Sequence, residues 1–255
     1  MPASMDVDAL AARLIAARRN GVRLAALSAD EAPRDAVEAY RVQEAMLAGL
    51  DIAVAGWKVG AANPTAEPQA GPLLADRVRP SPASFKPLPN ALRTVEAELA
   101  FSFARDLPAR ATSYREDEVW DAIDALHVAI EILESSFVDR RTVPEYAPLG
   151  DLLNNGGFCY GPAIRDWQRS DVLTPEVVLR VDGKEIRRAG AGTPGGHPQR
   201  LLTWLANHAA GRGWPLKRGD IVTTGSHTGV YDVAAGAQVA VRFEDIGEAT
   251  LQFLT

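Results

Sequence analysis

The segment Thr94-Val95-Glu96-Ala97-Glu98-Leu99-Ala100-Phe101 constrains this chain more than any other. Val95, Ala97, Leu99 and Phe101 alternate with polar or small residues, the period of a β-strand with one apolar face. Glu96 and Glu98 then project to the same side, about 7 Å apart at Cα. A second stretch, Leu126-His127-Val128-Ala129-Ile130-Glu131-Ile132, alternates in the same way and sets Glu131 opposite its apolar face. If the two strands meet, three carboxylates converge. Such a group, once buried, must take up a proton or gather around a cation. Three hard oxygen donors with positions left for water and substrate suit Mg²⁺ or Mn²⁺ rather than zinc. By spacing alone a Glu-x-Glu reads more simply as a solvated strand face, and the ligand reading needs more than spacing.

Bulk properties narrow the alternatives. The 255 residues suffice for one large domain or two small ones. A net charge of −6 without a basic run argues against nucleic acid or an anionic membrane as partner. Cys159 is the single cysteine, which excludes an intrachain disulfide and suggests a reducing, cytoplasmic setting. No secretory signal or membrane-length apolar run is read in the sequence.

The first fifty residues read as two helices, Asp6–Arg18 ending at Asn20-Gly21, and Ala36–Leu50. They form a helical cap or an oligomer contact, set apart as residues 1–50 from a catalytic unit over 51–255. Ile52–Val59 is an apolar strand that carries Lys58, either a surface charge or a partly desolvated proton carrier. Asn63–Gly71 reads as loop. Asp76 follows and reads by itself as a helix or turn cap. Glu116–Leu126 reads as an amphipathic helix feeding the Glu131 strand, with Glu134 a weaker fourth carboxylate. Arg140–Leu149 reads as an ordered loop.

Asp182-Gly183 marks a hairpin within Val177–Ile186. Gly190–Gly195 spells GxGxxG, yet it follows a hairpin, contains Pro194 and lacks the acidic residue a dinucleotide site needs. It is read as a loop near the site. Pro198 opens a helix that runs to Gly211. Ile221–Thr224 is a strand ending at Gly225-Ser226, and two alternating strands close the chain. The four histidines share no metal-binding spacing, although His127 lies on the Glu131 strand. Strands and helices in this order define an α+β fold, a curved mixed sheet with helices outside.

Several of these words recur together. Gly56-Trp57-Lys58-Val59-Gly60, Glu96-Ala97-Glu98-Leu99-Ala100-Phe101, Ala129-Ile130-Glu131-Ile132 and Gly196-His197-Pro198 occur in that order. Trp204-Leu205-Ala206-Asn207, Leu216-Lys217, Gly219-Asp220-Ile221-Val222 and Gly225-Ser226 follow. The chain resembles the 2-oxopent-4-enoate hydratase / 4-oxalocrotonate decarboxylase branch of the fumarylacetoacetate hydrolase superfamily over nearly its whole length. The resemblance implies that superfamily's β-roll in a homo-oligomer, with Glu96, Glu98 and Glu131 as metal ligands. It implies Lys58 and Asp76 in proton transfer, and Ser226 holding the substrate carboxylate. The substrate would be a small 2-oxo acid whose enolate the cation stabilises, followed by hydration of a 2-hydroxy-2,4-dienoate in meta-cleavage catabolism of aromatic compounds. Decarboxylation, hydrolysis of an acylpyruvate C–C bond, and a non-catalytic paralogue binding a dicarboxylate or partner subunit are the alternatives.

One segment departs from the resemblance. Asp151-Leu152-Leu153-Asn154-Asn155 stands where the family has Asp-Asn-Ala-Ser-Ser. Asn154 aligns with a serine that approaches substrate there. It either reaches the substrate with a longer polar arm or turns outward and caps the loop.

Overall fold

The computed structural model describes residues 5–86 and 93–255. Two helices lead, α1 (Val7–Asn20) and α2 (Ala36–Leu50). Asp6 caps α1 through its carboxylate, and Asp35 does the same for α2. Five strands follow: β1 (Val54–Gly60), β2 (Gln69–Leu74), β3 (Val78–Pro80), β4 (Ala83–Phe85) and β5 (Thr94–Phe103). After α3 (Glu116–Trp120) come β6 (Ile123–Leu133), α4 (Ala147–Gly150), β7 (Asn155–Tyr160), β8 (Val177–Val181) and β9 (Lys184–Ala189). The chain ends with α5 (Pro198–Gly211), β10 (Ile221–Ser226), β11 (Tyr231–Asp232), β12 (Gln238–Phe243) and β13 (Gly247–Phe253).

These strands make two mixed sheets. The larger has the order β2-β1-β10-β5-β6-β7-β3, with β11 also pairing β5, and the smaller has the order β4-β13-β12-β8-β9. Both contain parallel and antiparallel neighbours. The fold is therefore α+β with a mixed sheet, as the sequence leads one to expect. The alternation read in β5 and β6 decides how the sheets stack. Val95, Ala97, Leu99 and Phe101, with Val128, Ile130 and Ile132, join one apolar core with Val239, Val241, Phe243 and Leu251 of the smaller sheet. The carboxylates are left on the opposite face.

The β1 strand is held very close to β10. A Cβ on Gly56 would meet the Ile221 carbonyl oxygen at 1.9 Å, so only glycine lets these backbones approach. That contact fixes the strand carrying Lys58.

Three readings need correction. The Glu116–Leu126 helix stops at Trp120, and Ile123–Leu126 belongs to β6. Its apolar residues suited a helix face, but pairing of Leu126 with Phe101 and Ile123 with Phe103 claims them for the sheet. The Asn63–Gly71 loop ends earlier, because Gln69 already begins β2. Pro72 is tolerated there since β2 is an edge strand. The Arg140–Leu149 segment includes the start of α4.

α1 and α2 share their core with Leu74, Phe137, Ala147 and Leu152. They are thus packed against the turn that precedes β7. Arg18, in the last turn of α1, reinforces this with a buried ion pair to Asp151 at 3.0 Å and bonds to the carbonyls of Asn155 and Asp151.

Candidate metal centre and active site

Register brings the carboxylates together. In the β5–β6 ladder Glu96 lies directly opposite Glu131, and Glu98 lies two residues along on the same face. One oxygen from each of the three carboxylates lies within 4.8 Å of the others. Glu98 and Glu131 are buried, and Glu96 is half-buried.

Neighbouring strands supply the rest. Lys58 on β1 pairs in register with Thr223 on β10, and Thr223 with Ala100 on β5, so all three face the glutamates' side. The Lys58 ammonium forms an ion pair with Glu131, and the Thr223 hydroxyl donates to Glu98. A flat sheet would separate β1 from β6 by about 14 Å across three strand spacings. The Lys58–Glu131 contact therefore requires the sheet to curl around this face. A register shift between Thr223 and Ser226 turns the Gly225 amide inward, where it donates to Glu98 at 3.2 Å.

The glutamates and Lys58 line a cavity of about 320 Å³, together with Leu153, Pro194 and Ser226. Pro194 comes from the GxGxxG segment, which is thus a loop bordering the site. The Ser226 hydroxyl donates to the Gly229 carbonyl at 3.3 Å and sits at the mouth.

Charge is unbalanced here. Burial first, then the charges of Glu131 and Glu96, push the Glu98 carboxyl well above the ordinary carboxylate range, against Lys58 and the Thr223 hydroxyl. Glu131 is raised to about 7 by burial; Lys58 pulls it down and Glu96 pushes it up. Lys58 is the one cation lining the cavity among the described residues, against three carboxylates. A divalent cation fits that deficit and that all-oxygen donor set.

Glu98 and Glu131 have folded-state values above the ordinary 4.5, so each contributes stability at low pH that is lost on deprotonation. Without metal, the melting temperature should fall as pH rises from about 4.5 through about 7. Saturating Mg²⁺ should remove that fall by taking the place of the protons. Differential scanning calorimetry with and without chelator checks this. A metal-independent pH profile would contradict it.

Not every expected residue joins the site. Asp76 is exposed on a single 3₁₀ turn, Ala75–Arg77, and lines a separate cavity with Arg18, Arg19 and Arg77. The cause is strand direction. β2 runs antiparallel to β1, so its end at Leu74 pairs with Val54, four residues or about 13 Å from Lys58. Asp76 stands inside that turn, and the residue at its N-cap is Leu74.

Asn154 is buried but is not among the cavity's lining residues, and its Oδ1 has no hydrogen-bond partner among the described residues. Leu153 occupies the lining position. Leu152, Leu153 and Asn154 all adopt positive φ, at 53°, 52° and 58°. A left-handed residue other than glycine costs about 1–2 kcal/mol, and Leu153 within this triplet lines the cavity with the three glutamates. Asp151 holds the turn, accepting from Arg18 Nε, the Ser136 amide and the Ser136 hydroxyl.

His127 does not reach the cavity. Its Nδ1–H donates to the Gly161 carbonyl at 2.9 Å and its Nε2 accepts from Ser102. Glu134 faces Arg77 at 3.5 Å and stands outside the carboxylate cluster.

Comparison with known proteins accords with this geometry. Residues 81–253 match the family described as fumarylacetoacetate (FAA) hydrolase, C-terminal. The chain belongs to that family. It is similar to the 2-keto-4-pentenoate hydratase of Paraburkholderia phymatum, at 26 % identity over 97 % of both chains. It is 28 % identical to 2-keto-4-pentenoate hydratase 1 of Dechloromonas aromatica, over 98 % of this chain and 97 % of that one. In fold it resembles the 4-oxalocrotonate decarboxylase from Pseudomonas putida G7 complexed with magnesium and adipate, with a TM-score of 0.82, 23 % identity and 97 % of each chain covered.

Proposed function

We propose that this protein is a hydro-lyase that adds water to a 2-hydroxy-2,4-dienoate, with Mg²⁺ or Mn²⁺ held by Glu96, Glu98 and Glu131. The observation that carries the proposal is the convergence of those carboxylates with the Lys58 ammonium on one curled sheet face. The hydratase names of relatives aligned over nearly the whole chain support the choice of reaction.

When bound, the divalent cation supplies a Lewis acid for the oxygens at C1 and C2 of the substrate. The residues divide the remaining work. The 2-hydroxyl proton is lost and a proton is added at C5, leaving a 2-oxo-3-enoate. Water oxygen then bonds to C4 while a proton arrives at C3, and one water has been added across the former C4–C5 double bond. Lys58 is the group in the cavity suited to carry these protons or to orient the water. Thr223 and the Gly225 amide hold Glu98 in place, and Ser226, which lines the cavity, is assigned to the substrate carboxylate in this reading. Asp76 lines the separate cavity and is given no step in this scheme.

A cytoplasmic homo-oligomer is part of the same reading. Among the described residues no helix is long and apolar enough to cross a membrane. The Cys159 thiol is buried and pushed up to about 12, which leaves it inert.

Decrease of the dienoate absorbance of 2-hydroxypenta-2,4-dienoate in the presence of Mg²⁺, abolished by chelation, tests the reaction. Formation of a 4-hydroxy-2-oxo acid is expected. Mg²⁺ binding without turnover of dienoates would favour a non-catalytic role, and release of carbon dioxide from a 2-oxo dicarboxylate would favour the decarboxylase.

A further inference from the structure

We propose that Leu153 is a specificity-determining residue, and that it selects 2-oxo acids whose far end is apolar over those ending in a second carboxylate. This rests on the reading of the cavity as the site of a metal-dependent reaction on a 2-oxo acid.

Three features of the structure carry it. First, the backbone is committed to placing this side chain: Leu152, Leu153 and Asn154 are all left-handed, and the buried Asp151 anchors the turn to Arg18 and Ser136. Second, the sheet leaves room for it. A Cβ on Gly71 would lie 2.8 Å from both the Leu152 carbonyl oxygen and Leu153 Cβ, so the turn packs directly on the backbone of β2. Gly71 is the cross-strand partner of Lys58, which puts Leu153 over the lysine side of the cavity. Third, the cavity offers a distal carboxylate no cation. Lys58 is the one cation lining it among the described residues, and it is paired with Glu131.

An alkyl end meeting Leu153 is desolvated against carbon. A carboxylate in the same place loses its water and gains no partner. Discrimination of this kind has a known scale: a single methylene in an apolar pocket changes selectivity by about 10–200-fold. The preference also bears on the reaction, because decarboxylation needs a substrate with a distal carboxylate to lose.

Binding tests the inference separately from turnover. Calorimetry on the Mg²⁺-loaded protein would compare 2-oxopentanoate with 2-oxohexanedioate for wild type, Leu153→Ala and Leu153→Phe. The wild type should favour the monocarboxylate by about tenfold or more. Leu153→Ala should lower that ratio by about tenfold, and Leu153→Phe should keep it while weakening longer acids such as 2-oxooctanoate. Should Leu153→Ala fail to fold, the chain-length response of Leu153→Phe decides. Equal or tighter binding of the dicarboxylate by wild type, or ratios and length preferences unchanged in the variants, would overturn the inference. No binding of either acid would overturn it together with the reading of the cavity. A selective wild type that turns over no dienoate would leave the inference standing and reject the hydratase.

Discussion

Replacing Lys58 with methionine is expected to reduce turnover of the dienoate by about 10²–10⁴-fold, the usual contribution of a positioned proton carrier. Methionine keeps most of the buried stem and removes the ammonium. The fold should survive with metal bound, because Glu131 keeps a cation beside it and is already raised to about 7 by burial. The loss should fall on kcat, and added Mg²⁺ should not restore it. Full recovery at high Mg²⁺ would show that Lys58 serves only to balance the charge of Glu131. Unchanged turnover at ordinary Mg²⁺ would make the ion pair purely structural.

The second large effect concerns stability. Asp151→Ala is expected to cost about 3–5 kcal/mol, the scale for breaking one side of a buried ion pair. Asp151 is fully buried, and its removal leaves the Arg18 guanidinium bonded to carbonyls with no counter-charge. It also frees the Ser136 amide and hydroxyl. Against a typical total of about 5–15 kcal/mol, that is a large share. Urea unfolding of wild type, Asp151→Ala and Asp151→Asn measures it, with the asparagine variant expected in between. A loss under about 1 kcal/mol would mean that water or a shifted Arg18 replaces the pair.

These two residues differ in how visible they were before the fold was known. Lys58 and the glutamates declare themselves locally: carboxylates two apart on an alternating strand must share a face, and Gly-Trp-Lys marks a buried strand. The helices α1, α2 and α5 were equally legible from their caps and apolar spacing. Asp151 was not, because its main partner Arg18 lies 133 residues away, and nothing in either neighbourhood announces the pair. Leu153 was hidden for another reason. Left-handed backbone is normally signalled by glycine or asparagine, and two leucines in that conformation give no such signal. Asn154, the residue that looked functional by type, consequently lost the cavity position to its apolar neighbour. Asp76 was singled out by the resemblance alone, and the antiparallel β2 strand that carries it to a separate cavity is set by pairing with β1, which the residues around Asp76 do not encode. The Gly225 amide on Glu98 depends on a register shift in β10 that no local pattern encodes.

Anomalous diffraction from crystals grown with Mn²⁺ and oxalate, a non-reacting mimic of the 2-oxo acid head, tests the metal centre most directly. The expected result is one strong peak within about 2.0–2.6 Å of carboxylate oxygens from Glu96, Glu98 and Glu131, with oxalate completing the coordination beside Lys58. An empty carboxylate cluster at saturating Mn²⁺, or a peak held by other side chains, would contradict it.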